Sequence, residues 1–396
     1  MTQNQGKSPG PTERLAAIRD EIDGVDSRLL TLFNKRAALS REVGEIKANN
    51  QDIIFKALRE RDLLDKLASE NPGPLPEEHL RAIWREILSS SRALQRPQNV
   101  AYLGPEGTFS WFAGQEYLGH SANFHPCRDI AQVFEEVTGG HCELGVVPLE
   151  NSLQGTVGVS FDLFLKHDVR IEAELYSRIS HSLLSTARSM SQIERVYSHP
   201  QPLAQCQNWL RAHLPNATLM PVESTAAAAL QASRDPASAA IGNIRLADMH
   251  GLDILASRIE DEPDNWTRFV IIAPSKVFHN TVIPRPGPGI QGGAAKTSLL
   301  FTLPDKPGSL AVVLNLLAGS GVNMRKLESR PLRGQPWRYV FFADVESNLK
   351  DTALADLPEK LAHACTSFRI LGCYPTGPQL DRMIYGQTDK SEEEQE

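Results

Sequence analysis

Long hydrophobic runs are missing from this chain: no apolar stretch approaches the ~18–20 residues that span a bilayer. The first eleven residues, MTQNQGKSPGP, have no apolar core of the kind a secretory signal needs. Cysteine is scarce. The five thiols, Cys127, Cys142, Cys206, Cys365 and Cys373, form no C-x-x-C pair, and their odd number argues against a disulfide framework or a zinc site. A reduced, cytoplasmic protein is the expectation. Also missing are G-x-G-x-x-G, the P-loop and H-E-x-x-H, so no cofactor and no metal is expected. With 41 Lys+Arg against 48 Asp+Glu the net charge is −7, the wrong sign for a dedicated nucleic-acid binder. Partners are therefore expected among small molecules and copies of the chain itself, with neither membrane nor nucleic acid.

What is present suffices for several packed cores: 396 residues, 41% of them apolar. Charge is uneven, since residues 1–96 hold 16 of the 41 cations in a segment with almost no strand signal. Breaks fall at 95–98 and in the Pro/Gly-rich run 284–293. We expect a multidomain chain: an all-α domain over 12–96, an α/β domain over 99–275, a small α+β domain over 296–376, and a disordered acidic tail over 377–396.

In the first segment Leu15, Ile18, Ile22, Val25, Leu29, Leu32, Leu39, Val43 and Ile46 recur at spacings of mostly three and four, the mark of an amphipathic helix. From Thr12 to Asn49 such a helix runs ~57 Å, longer than a domain of this size is wide. It is expected to pack on a second copy in a homodimer or higher homo-oligomer. A second helix is expected over 53–69, and a third from Pro76 with Glu77 and Glu78 at its positive end. Arg36 and Lys47 lie ~20° apart on one helix face, whereas Arg19 points elsewhere and could serve a partner's site. Ser91 and Gln95 share a face of the third helix. Several cations with one carboxylate and one amide suit a small dianion.

These features resemble the all-helical chorismate mutase family. The match lies in I-R-D-E-I-D at 18–23, Arg36, E-V-G-E-I-K at 42–47, R-E-R at 59–61 and S-R-A-L-Q at 91–95. The resemblance implies that Arg19 (from the other protomer), Arg36 and Arg59 bind the two carboxylates, with help from Ser91. It implies that Lys47 and Gln95 donate to the ether oxygen and that Glu60 accepts from the ring hydroxyl. Lys56 departs from the acidic residue some members carry. A Claisen rearrangement needs no nucleophile; it needs the substrate folded and the breaking C–O bond stabilised.

Beyond residue 99 short apolar runs (100–103, 144–147, 195–197, 218–221, 239–241 and 268–273) alternate with helical stretches, an α/β pattern. Five turns occur in order: L-G-P-E-G-T-F-S at 103–110, V-P-L-E-N-S-L-Q-G at 147–155, Y-S-H-P-Q-P-L-A-Q-C at 197–206, E-S-T at 223–225 and N-W-T-R-F at 265–269. In this order they resemble prephenate dehydratases. The resemblance implies two α/β lobes of the type II periplasmic-binding-protein kind, divided as 99–177 with 255–275 and as 178–254, with the site between them. It implies Thr267 as the acid for the departing hydroxyl, and Glu150, Asn151, Ser198, His199, Gln205 and Ser224 as binding or positioning residues. Arg268 is read as a structural ion pair in preference to a carboxylate partner.

The last segment reads β-α-β-β-α-β, the ferredoxin-like order, with strands near 296–303, 322–329, 339–345 and 369–373 and helices near 309–319 and 352–365. Gly308-Ser309-Leu310 and Glu328-Ser329-Arg330-Pro331 resemble the regulatory ACT domain of prephenate dehydratases, which implies a phenylalanine pocket between two chains. The whole order resembles the bifunctional chorismate mutase/prephenate dehydratase family. It implies conversion of chorismate to prephenate and then phenylpyruvate, inhibited by L-phenylalanine. The alternative class is a small-molecule sensor whose helices serve only for dimerisation; it has no need of Thr267 or of the full set of mutase residues.

Overall fold

The computed structural model describes residues 10–47, 54–275, 295–332, 337–349 and 351–380. Three helices come first: α1 (Pro11–Lys47), α2 (Ala57–Glu70) and α3 (Glu77–Gln95). Pro76 caps α3 with extended backbone, and Glu77 and Glu78 fill its first turn. The second helix begins later than its pattern suggests, because Phe55 is tucked inside at 2% exposure ahead of it; residue 53 and Asn49 lie outside the described residues. Near its end α1 crosses α3 so closely that a Cβ on Gly44 would stand 2.8 Å from the Gln95 Cα. Further back, α1 leaves its own domain. Leu15, Ile18, Ile22, Val25, Leu29 and Leu32 stay 41–61% exposed along one stripe.

The next segment forms two sheets. The first has strand order Asn123–Cys127, Asn99–Leu103, Leu144–Asn151, Trp266–Pro274, Val169–Arg178, with the short Gly155–Thr156 paired to the third of these. The second has the order Asp253–Ala256, Ser182–Ser185, Ser238–Gly242, Arg195–Ser198, Thr218–Pro221. Leu255 and Ala256 thus belong to the second lobe, and the chain returns to the first only with Trp266. The apolar run 269–273 is continuous because its strand is covered on both faces.

The last segment carries strands Ala295–Thr302, Met324–Pro331, Tyr339–Val345 and Ser367–Pro375 in the spatial order second, third, first, fourth, all antiparallel. Helices Ser309–Gly319 and Leu357–Ala364 cover one face. The expected helix over 352–365 is broken into a 3₁₀ turn, Thr352–Leu354, and the helix beginning at Leu357. The opposite face joins the first lobe in one core, in which Phe161, Val270 and Ile171 pack with Leu300, Phe342 and Tyr374. A Cβ on Gly372 would lie 2.0 Å from the Ile171 carbonyl oxygen, so glycine permits this contact. The start of the tail is ordered, contrary to expectation: Pro378 O accepts from Tyr176 N at 3.0 Å and Leu380 is 1% exposed. Residues 381–396 lie outside the described residues.

Candidate active sites

In the helical domain Arg36, on α1, reaches α3. Its Nη1 donates to Ser91 Oγ and to the Ile87 carbonyl at 3.4 Å, and its guanidinium stands 5.4 Å from the Trp84 ring centroid. Burial lowers the Arg36 pKa and the nearby Glu60 opposes that fall, so the side chain stays a cation. Gln95 Nε2 donates to the Ser91 carbonyl at 3.2 Å one turn back. Arg36, Ser91 and Gln95 therefore converge. Arg59 and Arg19 are exposed, and the side chain of Lys47 lies outside the described residues. Both Glu60 oxygens accept from Arg92 Nη1 at 2.6 Å, which orients the carboxylate. Arg92, 4% exposed, also donates to the Leu118 carbonyl and so ties α2 and α3 to the next domain.

The two lobes enclose a cleft of about 640 Å³. Antiparallel pairing sets who faces it. Thr267 stands opposite Asn151, and Arg268 opposite Glu150. Side chains alternate along a strand, so the first pair takes one face and the second pair the other. Thr267 and Asn151 line the cleft. Asn151 Nδ2 donates to Thr267 Oγ1 at 3.0 Å, to Asn265 Oδ1 at 2.6 Å and to the Trp266 carbonyl at 3.2 Å. Its Oδ1 accepts from Leu153 N and Gln154 N at 3.1 and 3.0 Å. Every one of these bonds agrees on the amide's orientation. Thr267 accepts from Asn151, so its own proton is left to donate.

His199, Gln205 and Ser224 also line the cleft. Ser224 caps the helix Thr225–Ala232, and Thr108 precedes the helix Phe109–Leu118; both helix starts open on the cleft. Their backbone N–H groups and dipoles favour an anion there. Arg128 adds a cation to the lining. Two residues do not take the places expected of them. Glu150 turns out of the cleft and pairs with Lys326 at 2.6 Å. Ser198 is fully buried and donates to the Ile241 carbonyl at 2.7 Å, so it holds two strands together.

His181, which none of the sequence motifs contains, also lines the cleft. Its Nε2–H donates to Gln205 Oε1 at 2.8 Å, and burial lowers its pKa, which keeps the ring neutral. A lone histidine after a strand carries no sequence signal. Thr108, Ser110 and Asn265 belong to turns the sequence does mark.

Arg268 is structural. It pairs with Glu174 at 2.7 Å and with Asp344 of the last domain, and donates to Tyr374 Oη at 3.1 Å. Lys296 pairs with Glu174 from the same side at 2.7 Å. Two cations and two carboxylates thus close a buried network under the cleft floor.

In the small domain Gly308 takes φ +82° directly before the helix Ser309–Gly319, a left-handed turn that suits glycine. Leu310 packs against that domain's core, and Ser309 Oγ donates to the Lys306 carbonyl at 3.0 Å. Along Met324–Pro331 burial alternates: Lys326, Glu328 and Arg330 are half-buried, while Ser329 and Pro331 are exposed. Arg330 faces the first lobe, where it pairs with Asp162 at 3.3 Å.

A helical module, a two-lobed α/β unit with an anion-favouring cleft, and a ferredoxin-like domain docked beneath it define a multidomain protein built to hold small anionic molecules. Residues 18–96 match the model of chorismate mutase type II, 100–277 that of prephenate dehydratase, and 297–357 that of the ACT domain. The chain is 39% identical to the bifunctional chorismate mutase/prephenate dehydratase of Stutzerimonas stutzeri and 38% identical to that of Aquifex aeolicus, each alignment covering 92% of this chain and 98% of the relative. A solved structure of prephenate dehydratase from Arthrobacter aurescens in complex with L-Phe is 33% identical, covering 70% of this chain and 90% of that one with a TM-score of 0.62. The chain belongs to the bifunctional chorismate mutase/prephenate dehydratase family, and it carries both catalytic domains. Among the described residues no helix is long and apolar enough to cross a membrane.

Proposed function

We propose that the helical domain rearranges chorismate to prephenate and that the cleft between the lobes converts prephenate to phenylpyruvate. In the first site Arg36, with Ser91 beside it, and Arg59 hold the substrate carboxylates, and Arg19 is supplied across a dimer. Lys47 and Gln95 donate to the ether oxygen as its bond to carbon breaks. Glu60, oriented by Arg92, accepts from the ring hydroxyl. The stripe Leu15, Ile18, Ile22, Val25, Leu29 and Leu32 of α1 supports the dimer, because it finds no cover among the described residues of one chain.

In the cleft, the helix starts at Phe109 and Thr225, with Arg128, hold the carboxylate and keto-acid groups. The ring hydroxyl leaves as hydroxide, stabilised by the hydrogen bond that Thr267 donates to it, and solvent protonates it to water. The carboxylate's C–C bond breaks, its electrons enter the ring, and carbon dioxide departs. The observation that carries this reading is the bond from Asn151 Nδ2 to Thr267 Oγ1. By occupying a lone pair it strengthens the threonine O–H as a donor. His199, Gln205 and Ser224 position the substrate. Residues Gly308–Leu310 and Glu328–Pro331 bind L-phenylalanine, the ligand of the Arthrobacter aurescens relative, and binding lowers dehydratase turnover in a cytoplasmic enzyme.

The test is Thr267→Ala. It should lower dehydratase kcat by ~10²-fold or more, the scale of a lost general acid or oxyanion donor, and leave the mutase unchanged. Near-normal phenylpyruvate formation by that variant would remove Thr267 from the reaction.

A further inference from the structure

Resting on the placement of Thr267 at the reacting centre, we propose that Lys326, a residue of the ACT domain, is a positioning residue of the dehydratase site. Its Nζ stands 2.6 Å from Glu150 Oε1 and donates to Thr156 Oγ1 at 3.3 Å. It also lies 5.6 Å from the Phe161 ring centroid, and its side chain is only 13% exposed. Glu150 and Thr156 are register partners on either side of one tight turn. A single ammonium therefore pins both ends of the turn that spans 151–155.

That turn is part of the chemistry. It begins with Asn151, whose amide aims Thr267. Gln154, Gly155 and Thr156 line the cleft. Gln154 Oε1 accepts from Gln201 Nε2 of the opposite lobe at 2.9 Å, so the turn also spans the cleft mouth. Arg330, further along the same strand face, anchors the helix Gly158–Lys166 just past the turn. It pairs with Asp162, and a Cβ on Gly158 would meet its guanidinium at 2.7 Å. Neither Lys326 nor Arg330 touches the cleft interior. They hold its wall from beneath, from the strand that also carries Glu328–Pro331. A ligand that moves this strand moves the Asn151 turn.

Losing the pin leaves the turn free to shift on the scale of an ångström, and misplacement of that size costs up to ~10²-fold in rate. We expect Lys326→Met to lower dehydratase kcat ~10-fold with KM for prephenate within ~3-fold of the parent, and Lys326→Arg to recover most of the loss. Mutase activity of the same preparation stays at the parent's value. A merely structural contact behaves otherwise: the melting temperature falls while kcat of the folded protein holds, and that result overturns the proposal. If Lys326→Met does not fold, Glu150→Gln cuts the same pair from the other end and should reproduce the kcat loss. Normal kcat in Glu150→Gln also overturns the proposal. Thr267→Ala assayed alongside separates the two readings. An active Thr267→Ala condemns the cleft assignment, whereas an inactive one beside a fully active Lys326→Met condemns only the role of Lys326.

Discussion

Replacing Arg36 with lysine is the sharpest test of the mutase site, because it keeps the charge and removes the fork. In the structure Arg36 spends part of its donor capacity on Ser91 Oγ and the Ile87 carbonyl, with its guanidinium carbon 5.4 Å from the Trp84 ring centroid. On the proposed reading, its remaining N–H groups serve as a bidentate clamp for one substrate carboxylate. A hydrogen bond to a charged group contributes about 1.5–3 kcal/mol, and lysine forfeits one such bond. At about 1.4 kcal/mol per decade, mutase kcat/KM should fall ~10–100-fold. Stability should change little, since Ser91 Oγ still donates to the Ile87 carbonyl at 2.7 Å. The assay follows chorismate loss at several concentrations, with dehydratase turnover from added prephenate as the control in the same sample. A kcat/KM within ~2-fold of the parent would refute the clamp, and an equal loss of both activities would point to misfolding instead.

Three further outcomes rest on the same geometry. Gln95 donates without needing a proton, so mutase rate should stay roughly flat from pH 5 to 8; a steep loss above pH 6 excludes it as donor to the ether oxygen. Leu29→Asp with Leu32→Asp places charge on the uncovered stripe of α1, and sedimentation should then show smaller species with mutase activity reduced by the loss of Arg19's contribution; an unchanged mass rules out this dimer face. Burial lowers the folded-state pKa of His181, so the unfolded chain binds its proton first on acidification. Stability should therefore drop as pH falls through ~6.5, and His181→Gln should flatten that part of the profile in thermal melts.

Much of the fold is legible because periodicity reports burial. The stripe of α1 predicts its length, and the apolar run 269–273 predicts a covered strand. The turns that mark the cleft are legible as well, for Asn151, Thr267, His199, Gln205 and Ser224 all line it. The failures have one cause. Alternation tells which residues share a face but not which face is the cleft when both are covered. Glu150 sits next to Asn151 in one motif, and only the docked ACT sheet reveals that it points the other way. Ser198 adjoins His199 and is consumed by the Ile241 carbonyl. Glu60 carries a substrate-binding expectation that stands, but its partner Arg92 looks like any helical arginine until α3 meets the Leu118 carbonyl. His181 and the packed residues 377–380 depend on contacts far away in sequence, which no local pattern encodes.

The most direct measurement supplies purified protein with chorismate and follows chorismate loss and phenylpyruvate formation in one time course, with and without L-phenylalanine. Both signals should appear, and L-phenylalanine should suppress the second. Consumption of chorismate with accumulation of prephenate alone would contradict the cleft assignment. No consumption at all, with L-phenylalanine still bound, would contradict the account as a whole and leave a sensor with a helical dimerisation module.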